Sequence, residues 1–194
     1  MNENTIIIHQ TLHGYSNGHH LLESSVLLSD DSKRKMDILS DLSGTDAIDG
    51  FDFYYSGYLL ENEKLVVLAK TWYAPEMSRP GCVWTHSLLI PIQAMTFCAT
   101  NIDVLLTEFK RPSISESQTK YSESLVINRQ ETIVKKYDAK KIQYLIWVMI
   151  GQIPPNYVLA KDSEEFIKEL LFIWFTCYSE LSYDYSFITG TNFI

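Results

Sequence analysis

Between Thr71 and Ile90 the chain reads TWYAPEMSRPGCVWTHSLLI, and this stretch admits few folds. Pro75, Pro80 and Gly81 make its middle a loop, because Pro cannot donate to a strand ladder and Gly accepts turn conformations. The part from Cys82 to Ile90 alternates. Cys82, Trp84, His86, Leu88 and Ile90 fall on one face of a strand; Val83, Thr85, Ser87 and Leu89 fall on the other. Pro91 ends that strand. A strand–loop–strand unit must find partners for its ladder, and the flanking sequence supplies them.

Phe53 to Leu60 and Leu65 to Trp72 are both aromatic or β-branched runs, separated by the polar residues Glu61, Asn62, Glu63 and Lys64. That spacing predicts a hairpin. With Cys82 to Ile90 it gives a three-stranded antiparallel meander. Thr5 to Leu12 reads as a further strand, rich in Ile. The turn-forming run His13 to His20, HGYSNGHH, interrupts it. The run from His20 to Leu28 then completes a hairpin with a long, His-bearing tip, or Leu21 opens an irregular segment. A helix is expected from Ser32 to Leu42, capped by Ser29 or Asp30 and stopped by Gly44, with Asp46 to Asp52 as a polar connector.

Beyond Pro91, Gln93–Ala99 and Ile102–Phe109 read as short helical turns. Arg111 to Ser124 is a Ser-rich polar loop, expected to be flexible. Leu125 to Ile127 suits a short edge strand. Asp138 caps a helix whose Ile142, Leu145, Ile146, Met149 and Ile150 recur at helical spacing, and Gly151 ends it. Pro154 and Pro155 impose an extended passage. Asp162 caps a second helix, with Glu165 placed to reach back. Its Phe166, Ile167, Leu170, Leu171, Ile173, Trp174, Phe175, Cys177 and Tyr178 make it apolar nearly all round, which demands a central position. Tyr183 to Thr189 reads as a last strand. The chain ends soon after, as a piece of a longer protein would. The expected fold is α+β: an antiparallel sheet built on a three-stranded meander and packed with C-terminal helices. One domain is expected over residues 1–194, with a β-rich, motif-bearing half (1–100) and a helical half (101–194).

Sixteen basic residues face 24 acidic ones, and the net charge is -8. The basic residues are scattered; Lys33, Arg34 and Lys35 are answered by Asp30, Asp31 and Asp37. A phosphate-neutralising stripe is missing, so nucleic acid is not an expected partner. Three cysteines at wide spacing imply no disulfide framework. The polar N-terminus is unlike a signal peptide, and no apolar run reaches the ~18–20 residues that span a bilayer. A cytoplasmic protein without membrane partners is expected.

His13, His19 and His86 are the candidate metal ligands, but none sits at zinc-ligand spacing with a Cys or carboxylate, so no metal and no cofactor are expected. Cys82 and His86 share a strand face but lie roughly 13 Å apart along it, too far for a nucleophile and its base. Arg79, between Ser78 and Pro80 in a stiff loop, has two readings. It stacks on Trp72 or Trp84 or pairs with a buried carboxylate, or it is an exposed contact for a partner's acid or phosphate.

The blocks His13–Tyr15, Gly18–His19, Leu21–Leu22, Ser40–Ser43, Tyr58, Ala69–Trp72 and Arg79–Ile90 resemble, in this order, the N-terminal domain of the bacterial GTPase-associated protein family, whose pattern runs HGY, GH, LL, a Ser-Asp step, Ala-x-x-Trp and RPG-x-VWTH. The resemblance covers about the first 95 residues. It implies a cytoplasmic adaptor or regulatory subunit of a GTPase-centred prokaryotic conflict or antiphage system, with protein partners that include the GTPase. The leading expectation is a non-enzymatic protein-binding module whose two turns form one surface. His13, Tyr15 and His19 would be contacts, Arg79 an ionic anchor, and Trp84 and His86 the packed floor. The alternative is an enzyme of unknown reaction with His19 or His86 as general base and Arg79 as anion binder.

Overall fold

The computed structural model describes residues 5–41, 52–77, 79–129, 137–151, 158, 160–177 and 186–189. Among the described residues seven strands form one sheet: β1 (Thr5–Tyr15), β2 (His19–Ser24), β3 (Phe53–Leu60), β4 (Leu65–Tyr73), β5 (Val83–Pro91), β6 (Leu125–Asn128) and β7 (Phe187–Ile188). Their order is β2-β1-β5-β4-β3-β7, every pairing is antiparallel, and β6 joins the N-terminal half of β1 beside β2. The meander β3-β4-β5 lies at the centre, with Leu60 opposite Leu65 across the first turn and Trp72 opposite Trp84 in the second pair.

The alternation read along β5 is what the sheet uses. Leu88 and Ile90 join Ile8, Tyr55, Val66 and Leu68 in a core covered by α2 (Met95–Thr100), α3 (Ile102–Glu108) and α5 (Ile167–Thr176). Leu89 faces the other way, with Tyr58, Leu60, Val67 and Ala69, against Met36 of α1 (Asp30–Ser40). Layers on both faces explain why β4 and β5 are almost wholly buried. The all-round apolar α5 is central as expected: Trp174 and Leu171 are fully buried in the main core, while Leu170 and Ile173 pack on Leu145 of α4 (Ala139–Gly151).

Local signals operate as read, with exceptions. Ser29 caps α1 by accepting from the Ser32 N–H at 3.3 Å, and Asp30 and Asp31 sit in the positive first turn. Asp138 Oδ1 accepts from Lys140 N–H at 2.9 Å at the start of α4. Asp162 does not cap α5, whose N-cap is Phe166 with no side-chain cap bond; with Glu165, which accepts from Lys161 N–H at 2.7 Å, it closes a turn that leads into the helix. On α4, however, Ile146 is exposed and Val148 is buried in its place. Residues 111–124, expected to be loose, are pinned by Tyr121, which is 1% exposed and donates its hydroxyl to the Lys110 carbonyl at 3.0 Å. β1 does not stop at Leu12; it continues to Tyr15 because β2 pairs with it that far, leaving only Ser16–Gly18 as the turn. The Gly44 helix stop, the Pro154–Pro155 passage and the start of the last strand lie outside the described residues.

Candidate functional site

Two turns meet at one end of the β1–β5 pair. The first is Ser16–Gly18, closed by Ser16 N–H donating to the Gly18 carbonyl at 2.9 Å, with Asn17 left-handed at φ 59°. The second is the Pro75–Gly81 loop. Its base is closed by Ala74 N–H to the Cys82 carbonyl at 2.9 Å, and Gly81 takes φ 79°, which favours glycine. Glu76 holds the loop from outside: its carboxylate accepts the Trp84 indole N–H at 3.1 Å and Nη2 of Arg111 at 2.7 Å to both oxygens. Arg111 also donates to the Tyr73 carbonyl at 3.1 Å.

Between the turns lies a solvent-open cleft of about 80 Å³, lined by Tyr15, His19, Asp41, Arg79 and Pro80–Cys82. Arg79 is exposed, and its guanidinium carbon lies 5.8 Å from the Tyr15 ring centroid. The aromatic partner is therefore Tyr15, rather than Trp72 or Trp84. Among the described residues no carboxylate pairs with Arg79.

The blocks that carry the sequence pattern interlock behind this cleft. The Trp84 ring packs against Gly14, so close that a Cβ there would come within 2.4 Å of it. The HGY glycine and the VWTH tryptophan are thus two halves of one contact. Thr85 Oγ1 donates to the Ser40 carbonyl at 2.8 Å, so the Thr71 hydroxyl, 2.8 Å away, donates to Thr85. His19 Nε2 bonds Ser40 Oγ at 2.8 Å, joining the GH pair to the Ser-Asp step.

The histidines divide across the sheet. Leu12 pairs with His86 and His13 with Thr85, so His86 and His13 point to opposite faces. His86 is fully buried. Its Nδ1 accepts from Lys110 N–H at 3.1 Å, which places the ring proton on Nε2, donated to Gln10 Oε1 at 2.9 Å. Gln10 in turn donates to the carbonyls of Lys120 and Glu123, at 2.9 and 2.6 Å. Phe109 and Tyr121 close edge-on around the ring, with centroids 5.6 and 4.9 Å away. Burial first, then the charges of Lys110 and Lys120, lower the His86 pKa to about 3. The expectation of a general base at His86 is corrected: both nitrogens are committed, and the ring faces away from His13.

His13, expected as a polar binding contact, is not among the residues that line the cleft. The extension of β1 to Tyr15 puts it inside a strand and wholly buried. Neither ring nitrogen has a hydrogen-bond partner; Nε2 lies 3.5 Å from Asp37 Oδ1. Its ring is 6.2 Å from that of His19 and nearly parallel, at 18°. Burial, then the His19 and His20 charges, lower its pKa to about 3. His19, half-buried in the cleft wall, is also held below its ordinary value by burial, against the opposing pull of Asp41 and Asp37. Trp84 is buried as a packing element.

Asp41 of the cleft was not singled out from the sequence, although it lies within a motif block, whereas Cys82 was weighed there as a nucleophile. Burial raises the Cys82 thiol pKa, which opposes formation of a nucleophilic thiolate. Among the described residues no group of three His, Cys, Asp or Glu side chains could hold a metal ion, and no helix is long and apolar enough to cross a membrane.

Among curated proteins no sequence matches the chain. Among solved structures the K. lactis Lst4 longin domain is similar over 52% of this chain and 68% of its own, at 11% identity and a TM-score of 0.34, a likeness too slight to carry an argument. The family profile "GTPase-associated protein 1, N-terminal domain type 1" matches residues 7–109, more than half of the chain and every block that builds the cleft. The chain belongs to that family of GTPase-associated proteins.

Proposed function

We propose that the chain is a non-enzymatic adaptor or regulatory module of a GTPase-centred prokaryotic conflict system of the antiphage type. It works in the cytoplasm and binds other protein subunits, the GTPase among them, through the cleft between its two motif-bearing turns. The observation that carries this reading is the convergence of Tyr15 and His19 from one turn with Arg79 from the other on a single solvent-open concavity. Concave surfaces with a few polar groups are where recognition concentrates.

Most motif residues hold that cleft in shape and do not line it. Trp84, Thr85 and His86 fix the strand beneath the second turn, and Gly14, Ser40 and Gln10 respectively receive them. The test is co-expression of the chain with the GTPase and other proteins encoded beside it. Co-elution as a complex on size exclusion is the expected result. A folded chain that elutes alone in every pairing would refute the proposal.

A further inference from the structure

We infer that the cleft is a receptor for one carboxylate, borne by an acidic segment of a partner protein, and that Arg79 grips it. This rests on reading the cleft as a protein-binding site and names the chemistry that enters it.

Arg79 is displayed rather than merely exposed. Its loop is closed at the base by Ala74 and Cys82 and clamped by Glu76, which holds Trp84 and Arg111 at once. The guanidinium lies over Tyr15, so its aromatic neighbour limits its rotamers while leaving its N–H fork uncommitted. Two other arginines have an acid of their own, Arg111 in Glu76 at 2.7 Å and Arg34 in Asp31 at 4.0 Å, while Arg129 lies over Phe97 away from the cleft lining. In a chain of net charge -8, acids are abundant, yet among the described residues none reaches Arg79. A planar fork without its own acid fits a carboxylate bidentately.

The size and charge of the cleft narrow the ligand further. At about 80 Å³ the cleft is far smaller than a pocket for a drug-sized ligand and suits the end of one side chain. Asp41 stands on the same wall. Its charge penalises a phosphate dianion more than a singly charged carboxylate.

The test is selection of a random peptide display library on the immobilised full chain, in parallel with R79A and R79K, whose thermal midpoints are checked first. The wild-type chain is expected to enrich peptides containing Asp or Glu. The best of them should bind R79A at least ~10-fold more weakly, from loss of a charge-assisted hydrogen bond. It should also bind R79K more weakly, because the fork is gone, and its Asn or Gln counterpart should bind poorly to the wild type. Four results would overturn the inference: no peptide recovered, no acidic preference, equal binding to R79A, or stronger binding of a phosphopeptide. Co-elution of a co-encoded subunit with wild type and R79A alike would overturn it and leave the adaptor reading standing. Acidic peptides that bind through Arg79, with no co-eluting subunit, would do the reverse.

Discussion

His86 and His13 occupy neighbouring rows of the same sheet, both fully buried and both held neutral, yet they are wired in opposite ways. Every polar atom of the His86 ring has a partner, and those partners tie β5 to β1 through Gln10 and to the 110–123 segment through Lys110. No polar atom of the His13 ring has one. Burial and a depressed pKa are therefore poor guides to role; the bonds decide. His86 is a structural hub. His13 is packed as a flat apolar body behind the cleft, beside His19.

The strongest way to break this comparison is to remove each ring. His86→Leu should destabilise the protein by about 3–5 kcal/mol, since it orphans a buried amide oxygen and a backbone N–H as well as lost ring packing. His13→Leu should stay within about 1 kcal/mol, because no hydrogen bond is broken. Urea midpoints at neutral pH decide it. Equal costs would mean that the wiring difference has no energetic meaning.

Acid should act on both rings alike. Each folded pKa is near 3, below the ordinary 6.5 of the unfolded chain. Below pH 6.5 the unfolded state therefore binds protons that the folded state refuses, and stability falls as pH falls. At 1.36 kcal/mol per unit, lowering pH from 6.5 to 5 removes about 2 kcal/mol per histidine, about 4 for the pair. The slope of stability against pH between 6.5 and 5 should fall in His13→Leu by that ring's share, about 1.4 kcal/mol per pH unit, while His86 and the likewise depressed His19 keep theirs. If it does not, that ring is solvated or charged in the fold.

Gly14→Ala comes next, at about 1–3 kcal/mol from overpacking against Trp84. Pairing it with Trp84→Leu should be non-additive, as expected for residues in direct contact. Simple additivity would show that the glycine serves the backbone and not the indole.

The meander, the two-faced β5, the caps of α1 and α4 and the central α5 were legible because period and capping chemistry are local. The division of the histidines was not. Parity along β1 puts His13 opposite Leu12, but the turn residues Gly14, Ser16, Asn17 and Gly18 mask the fact that the strand continues to Tyr15. That extension depends on pairing with β2, a partner outside the local window. The same holds for residues 111–124: their Ser-rich composition reads as loose, and contacts distant in sequence anchor them, Tyr121 with His86 and Gln10 with the Lys120 and Glu123 carbonyls. The meeting of the Ser16–Gly18 and Pro75–Gly81 turns follows from the β1–β5 pairing. That pairing was hinted at only by the co-occurrence of the HGY and VWTH blocks, whose Gly14–Trp84 contact no periodicity predicts.

The smallest expected effect concerns the two arginines at the second turn. Arg111 lies outside the loop and braces it, with Nη2 donating to both oxygens of Glu76 and to the Tyr73 carbonyl. The pair is partly exposed, so solvent screens it, and Arg111→Ala should cost about 1 kcal/mol. Arg79 is on the loop and braces nothing, so Arg79→Ala should stay within about 0.5 kcal/mol. A thermal midpoint that moves with Arg111 and not with Arg79 would separate the group that shapes the cleft from the group that faces its ligand. A midpoint that falls more with Arg79 would make its stacking on Tyr15 the purpose of the residue, and the cleft would lose its only uncommitted cation among the described residues that line it.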